Sequence, residues 1–149
     1  MLTDFSIEDI DHIEMFVSDR EKAAKWYEKI FGLKPIKKLE TWSKIGPFFI
    51  GTEDRSVTLA IMNGKKENNG SINRMAFRTA GEKFVDFLNR VDDLNLFFLQ
   101  EKVTKEQVVD HDLSYSIYFD DPDGNKLELT SYDYDYLKSN IKSARRFDT

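Results

Sequence analysis

Hydrophobic and polar positions alternate with two periods along this chain, and the periods change at defined places. In residues 10–17, IDHIEMFV, Ile13, Met15 and Val17 alternate with His12, Glu14 and Phe16, the period-2 pattern of a strand. A helix is predicted over 19–31, with Ser18 as N-cap and Glu21 at capping-box spacing. Ala24, Tyr27, Ile30 and Phe31 share one of its faces. Gly32 supplies the C′ residue and Pro35 prevents continuation. Strands are predicted near 36–44, 48–51 and 56–62, separated by Gly46-Pro47 and the polar run 52–55. Residues 63–71, NGKKENNGS, contain no apolar side chain and read as a linker.

The same grammar then restarts. INRMAFR, residues 72–78, reads as a strand with Met75 and Phe77 on one face, and Thr79 and Glu82 repeat the cap spacing. A helix is predicted near 80–91, carrying Phe84, Phe87, Leu88 and Val91 on one side. Strands follow near 95–99, where Phe97-Phe98 reads as buried, and near 114–120 and 126–132. The last two are joined by Asp121-Pro122-Asp123-Gly124-Asn125, strong turn chemistry. The tail from 133 to about 147 reads as a helix with Tyr134, Leu137 and Ile141 in register, covering the domain's edge or a dimer contact.

The element order is thus βαβββ, linker, βαβββ, an α+β protein built on an internal duplication. One domain, 1–149, is expected, with module one at about 9–63, a linker at 63–71, module two at about 72–132 and a C-terminal helix. Aligning IDHIEMF with INRMAFR sets His12 opposite Arg74. Alternation sends Ile13, Met15 and Val17 toward the helix-packed face, so His12 and Glu14 face away from it. By the same rule Arg74, Ala76 and Arg78 lie opposite Met75 and Phe77, and Lys126, Glu128 and Thr130 opposite Leu127 and Leu129. His12, Arg74 and Glu128 are therefore expected to converge in a cleft.

Composition narrows the chemistry. With no cysteine, the chain has no disulfide, thiol nucleophile or Cys-ligated metal, and its two histidines leave little for an imidazole-rich site. A net charge of −5 argues against nucleic acid as partner. No apolar run approaches a membrane span and the acidic start lacks an apolar signal core, so a cytoplasmic protein is expected. Gly-rich phosphate loops and Gly-x-Ser-x-Gly elbows are absent from the sequence.

The duplicated βαβββ order, the opening strand IDHIEMFV and the hairpin DDPDGNKLELTSYD resemble the vicinal oxygen chelate superfamily over roughly residues 9–132. This is the group of glyoxalases, extradiol dioxygenases, bleomycin-resistance proteins and fosfomycin-modifying enzymes. The stretch from His111-Asp112 to Tyr118-Phe119 resembles its dioxygenase-like branch. The resemblance implies a curled mixed sheet around a cleft, a homodimer, and a divalent metal such as iron, manganese, nickel or zinc held by His and Glu. Carried over residue by residue, the metal ligands become His12 and Glu128. The ligand opening module two becomes Arg74, and the fourth strand of module one, SVTLAIM, offers no carboxylate. A third ligand would have to be His111, whose other reading is a loop residue behind the site.

Two functions follow from the resemblance. One is a metal-dependent lyase, isomerase or dioxygenase acting on a small molecule with adjacent oxygens, with Glu128 and Arg74 as catalytic groups and Arg74, Glu14, His111 and Tyr118 binding substrate. The other is a metal-free drug- or metabolite-binding protein of the bleomycin-resistance type. The first is the leading expectation, and Arg74 in a ligand position together with the missing carboxylate on SVTLAIM motivates the second as its alternative. A guanidinium 4 Å from a unit positive charge is repelled by about 4 kcal/mol at an effective dielectric near 20, and a divalent ion doubles that. Without a metal, Arg74 and Glu128 are expected to form a bidentate ion pair.

Overall fold

The computed structural model describes residues 10–64 and 74–149. Most of the predicted linker, 63–71, and the start of INRMAFR lie outside the described residues. The chain divides into two units, 1–71 and 72–149.

In the first unit, strand β1 (Ile13–Val17) leads into helix α1 (Arg20–Phe31), β2 (Lys34–Pro35), β3 (Phe48–Gly51) and β4 (Thr58–Asn63). The sheet order is β1-β4-β3-β2, with β1 parallel to β4 and the other pairs antiparallel. Met15, Val17, Leu59, Ile61 and Ile50 are buried, as are Ala23, Ala24, Tyr27 and Ile30 on α1, which packs against β1 and β4. The helix begins one residue later than expected. Its N-cap is Asp19 and not Ser18, and the Asp19 carboxylate accepts the backbone N–H groups of Glu21 and Lys22. At the other end Gly32, φ 71°, adopts the left-handed cap conformation expected of it.

The strand expected at 36–44 is instead a 3-10 helix, Lys37–Lys44. Tertiary hydrogen bonds override the local pattern. The guanidinium of Arg20 donates to the carbonyls of Ser43 and Gly46, both at 2.7 Å, and coils the segment back over the start of α1. Trp42 consequently lies half-exposed on this helix and not on a strand.

The second unit repeats the plan. Strand β5 (Met75–Arg78) and helix α2 (Gly81–Arg90) precede β6 (Phe97–Phe98), β7 (Glu101–Lys102), β8 (Val109–Asp110), β9 (Tyr115–Asp120) and β10 (Lys126–Ser131). Helix α3 (Tyr134–Asn140) and strand β11 (Arg145–Arg146) close the chain. The sheet order is β11-β8-β9-β10-β5, with β6 joining β9 and β7. The first and last long strands of this unit, β5 and β10, are adjacent and parallel, as β1 and β4 are in the first. This shared topology is the structural signature of the duplication. Met75, Leu127, Leu129, Ile117 and Phe119 are buried on the α2 side, where Phe87 stacks on Phe119 with ring centroids 5.7 Å apart.

Three expectations are corrected here. Helix α2 starts at Gly81 after an Ala80 N-cap that offers no side-chain hydrogen bond. Asp133 caps it instead, accepting the Gly81 N–H at 2.6 Å from fifty-two residues away, so the Thr79–Glu82 spacing is not used. The tail helix stops at Asn140, and the chain then returns as β11 beside β8. Phe97 is 48% exposed, because the hairpin of β6 and β7 hangs on the rim of the sheet and meets β9 at one residue pair, Phe97 with Asp120.

Candidate functional site

The site residues of the second unit follow from one turn. Asp121 is buried, its Oδ1 accepting from the backbone N–H groups of Asp123 and Asn125 and its Oδ2 from the Asn125 side chain at 2.8 Å. Gly124 supplies the φ of 84° that closes the loop. This rigid connection sets the register of β9 against β10: Lys126 with Asp120, Glu128 with Tyr118, and Thr130 with Ser116. Since cross-strand partners share a face, these six residues lie on the side away from α2. The parallel pairing to β5 adds Ala76 and Arg78 to that face, with Ala76 beside Glu128 and Arg78 beside Thr130. Glu128 therefore stands on an interior strand, flanked by β9 and β5.

Side-chain contacts bind this face into a network. The buried Ser116 hydroxyl donates to Glu128 Oε1 at 2.7 Å and lies 2.9 Å from the Thr130 hydroxyl, itself 3.2 Å from the Tyr115 carbonyl. Tyr118 is partly buried, and its hydroxyl is 2.9 Å from His111 Nε2. Burial, and after it the carboxylate of Glu128, pushes the Tyr118 phenol above its ordinary value, so it is neutral and a hydrogen-bond donor near neutral pH. The Arg74 guanidinium lies over the Tyr118 ring, 4.9 Å from its centroid, and Phe98 approaches the same ring at 6.3 Å. A cation–π contact of this kind contributes about 0.5–1 kcal/mol at an exposed site.

Four of the sequence-predicted residues, Arg74, His111, Tyr118 and Glu128, thus share one face of the second unit. One prediction about them fails: among the described residues, Arg74 and Glu128 form no ion pair. The Tyr118 ring takes the guanidinium, and Ser116 takes the carboxylate. Ser116 was missed by residue-type reasoning, whereas alternation had already set Thr130 on this face. Counting back from the five-residue turn would have found Ser116, because the turn fixes which residues oppose Glu128 and Thr130.

His12 and Glu14 belong to the first unit. His12 directly precedes β1, with Nδ1 2.7 Å from the Asp11 carboxylate and its ring edge-on to Phe49 at 5.3 Å. The carboxylate can only accept, so Nδ1 is the donor of this bond. The His12 hydrogen bond, followed by the charge of Arg55, holds the Asp11 carboxyl below its usual range. Trp42 tilts against Phe49 at 5.6 Å. Glu14 is exposed on β1, paired across the sheet with Ala60.

A duplicated βαβββ plan with polar residues on the open face of its sheets defines the class. The chain belongs to the Glyoxalase/Bleomycin resistance protein/Dioxygenase superfamily, whose model matches residues 9–129. It is 29% identical over 123 residues to the metallothiol transferase FosB of Bacillus licheniformis, covering 80% of this chain and 73% of that protein. The fosfomycin resistance protein FosX of Mesorhizobium loti superposes with a TM-score of 0.57 at 25% identity, covering 85% of this chain and 93% of that one. FosX of Listeria monocytogenes, solved with Mn(II) and sulfate, superposes with a TM-score of 0.60 at 20% identity over 91% of this chain and 98% of that one.

The donor set bears on the metal that the superfamily implies. Among the described residues, neither unit gathers three His, Asp or Glu side chains in a geometry that could hold an ion. The second unit offers Glu128, already engaged by Ser116, and Arg74 stands directly before β5. A guanidinium has no lone pair to give and repels a cation. His111 turns its Nε2 to Tyr118. Taken by itself, the second unit does not supply a three-ligand divalent centre among its described residues.

Proposed function

We propose that the chain is a metal-free small-molecule-binding member of its superfamily, taking a ligand that carries an anionic oxygen group next to a hydroxyl or amine. The observation that carries this reading is the Arg74 guanidinium, held over the Tyr118 ring and without a carboxylate partner among the described residues. A cation–π contact uses none of the guanidinium N–H donors, which stay available for a carboxylate, phosphate or phosphonate. Glu128, oriented by Ser116, accepts from the neighbouring hydroxyl or amine, and the neutral Tyr118 phenol gives its one proton to the ligand when His111 Nε2–H donates to the phenol oxygen. The positive charge that relatives obtain from an ion is supplied here by a side chain. As the size of the chain and the family resemblance lead one to expect, the protein acts as a homodimer, which light scattering checks.

Elemental analysis and calorimetry test the reading together. Protein purified without chelator is expected to hold no stoichiometric iron, manganese, nickel or zinc, and to bind phosphate or a small 2-hydroxy acid. Arg74→Ala should weaken that binding about 10- to 100-fold, the worth of one charge-assisted hydrogen-bonding group. A stoichiometric divalent ion that disappears on Glu128→Ala would overturn this proposal in favour of a metal-dependent lyase or transferase.

A further inference from the structure

The last residues of the chain lie against the face just described. Strand β11 adds parallel to β8, with the Arg145 N–H donating to the Val108 carbonyl at 2.9 Å and the Phe147 N–H to the Asp110 carbonyl at 3.2 Å. Arg146 grips Asp112 with both terminal nitrogens, Nη2 at 3.1 Å from Oδ2, and reaches Asp148 from Nε at 3.2 Å. Asp112 occupies the left-handed region, φ 69°, a conformation this ion pair helps to hold. The pairing brings the Phe147 ring to 5.7 Å from the His111 imidazole, inclined by 32°. The imidazole is in turn hydrogen-bonded to Tyr118, on whose ring Arg74 lies. Phe147 is half-exposed and fills no core. Its ring neighbour is the histidine hydrogen-bonded to the phenol of the site.

We propose that Arg146 and Phe147 are positioning residues. They strap the C-terminal segment onto the edge of the sheet and hold His111 in the orientation that presents the Tyr118 hydroxyl beside Arg74. Phe147 acts through the imidazole, and Arg146 acts by clamping the loop that carries it. A ligand anchored on Arg74 then meets a Tyr118 phenol that is already oriented, so it does not have to order that group on binding. The consequence for affinity rests on the anion-binding reading of Arg74; the positioning of His111 does not.

The test uses the full-length protein and two independent signals. The imidazole resonances of His111, assigned by comparison with His111→Ala, report its hydrogen bond and ring contact, and calorimetry reports affinity for inorganic phosphate. Phe147→Ala and Arg146→Ala should each move the His111 resonances and raise the phosphate Kd about three- to tenfold. Phe147→Tyr should restore both signals, which a merely structural loss would not predict. The double variant His111→Ala/Phe147→Ala should bind phosphate no more weakly than His111→Ala alone. Unchanged His111 resonances in a folded Phe147→Ala protein overturn the strap whatever happens to phosphate. If the wild type binds no phosphate while the resonances still move, the Arg74 reading fails and the strap stands.

Discussion

Replacing Gly81 by alanine sets helix propensity against packing. Alanine at the first residue of α2 would by propensity gain at most about 0.5–1 kcal/mol. A Cβ built at this buried position, however, comes within 2.6 Å of Tyr136 Cδ1 and 3.0 Å of Asp133 Cβ. Forcing a methyl into such a contact costs about 1–3 kcal/mol. The displacement also falls on the 2.6 Å hydrogen bond by which Asp133 caps the helix, a charge-assisted bond with a net value of about 1.5–3 kcal/mol. The packing and capping losses exceed the propensity gain, so Gly81→Ala should destabilise the protein by about 1.5–5 kcal/mol. Urea unfolding followed by far-UV circular dichroism would show this as a lowered midpoint at unchanged slope. In a Tyr136→Ala background the penalty should shrink, because the nearest obstacle has gone. A Gly81→Ala protein as stable as the wild type, or a penalty unaffected by Tyr136→Ala, would refute the close approach of α3 to α2.

Three further outcomes are expected. In the β6–β7 hairpin, Leu99 and Gln100 are both left-handed, φ 50° and 70°, which a two-residue primed turn demands and which these residues disfavour. Leu99→Asn with Gln100→Gly should therefore stabilise the protein by about 1 kcal/mol, seen as a higher melting temperature. Burial, then the Asp110 carboxylate, pushes the Tyr115 phenol up to about 12. Native protein thus keeps this proton after the unfolded chain has lost it, and stability should fall between about pH 10 and 12. Melting curves of Tyr115→Phe should show a shallower decline over that window, and an identical decline would contradict the assignment. Phe119→Ala removes a fully buried ring stacked on Phe87 and should cost about 3–5 kcal/mol by chemical denaturation.

Much of the architecture is written in local patterns. The period-2 runs at 13–17, 75–78, 115–120 and 126–131, the helical faces of α1 and α2, and the turn Asp121–Asn125 all respond to short-range forces. So did the placing of Arg74 and Glu128 opposite the buried Met75, Leu127 and Leu129, because side-chain direction in a strand is a matter of parity. Among the described residues no helix is long and apolar enough to cross a membrane, in line with the hydropathy of the sequence.

The sequence by itself thus determined the βαβββ repeat, the family and the residue types on the open face, since each depends on neighbours within a few positions. Tertiary structure decided whatever depended on a partner far along the chain. Arg20 coiled 37–44 into a 3-10 helix, Asp133 displaced Thr79 as the cap of α2, and β8 drew the tail into a strand. The same holds for Arg74: an aromatic ring and a carboxylate on the same face were both open to its guanidinium, and only folding chose the ring.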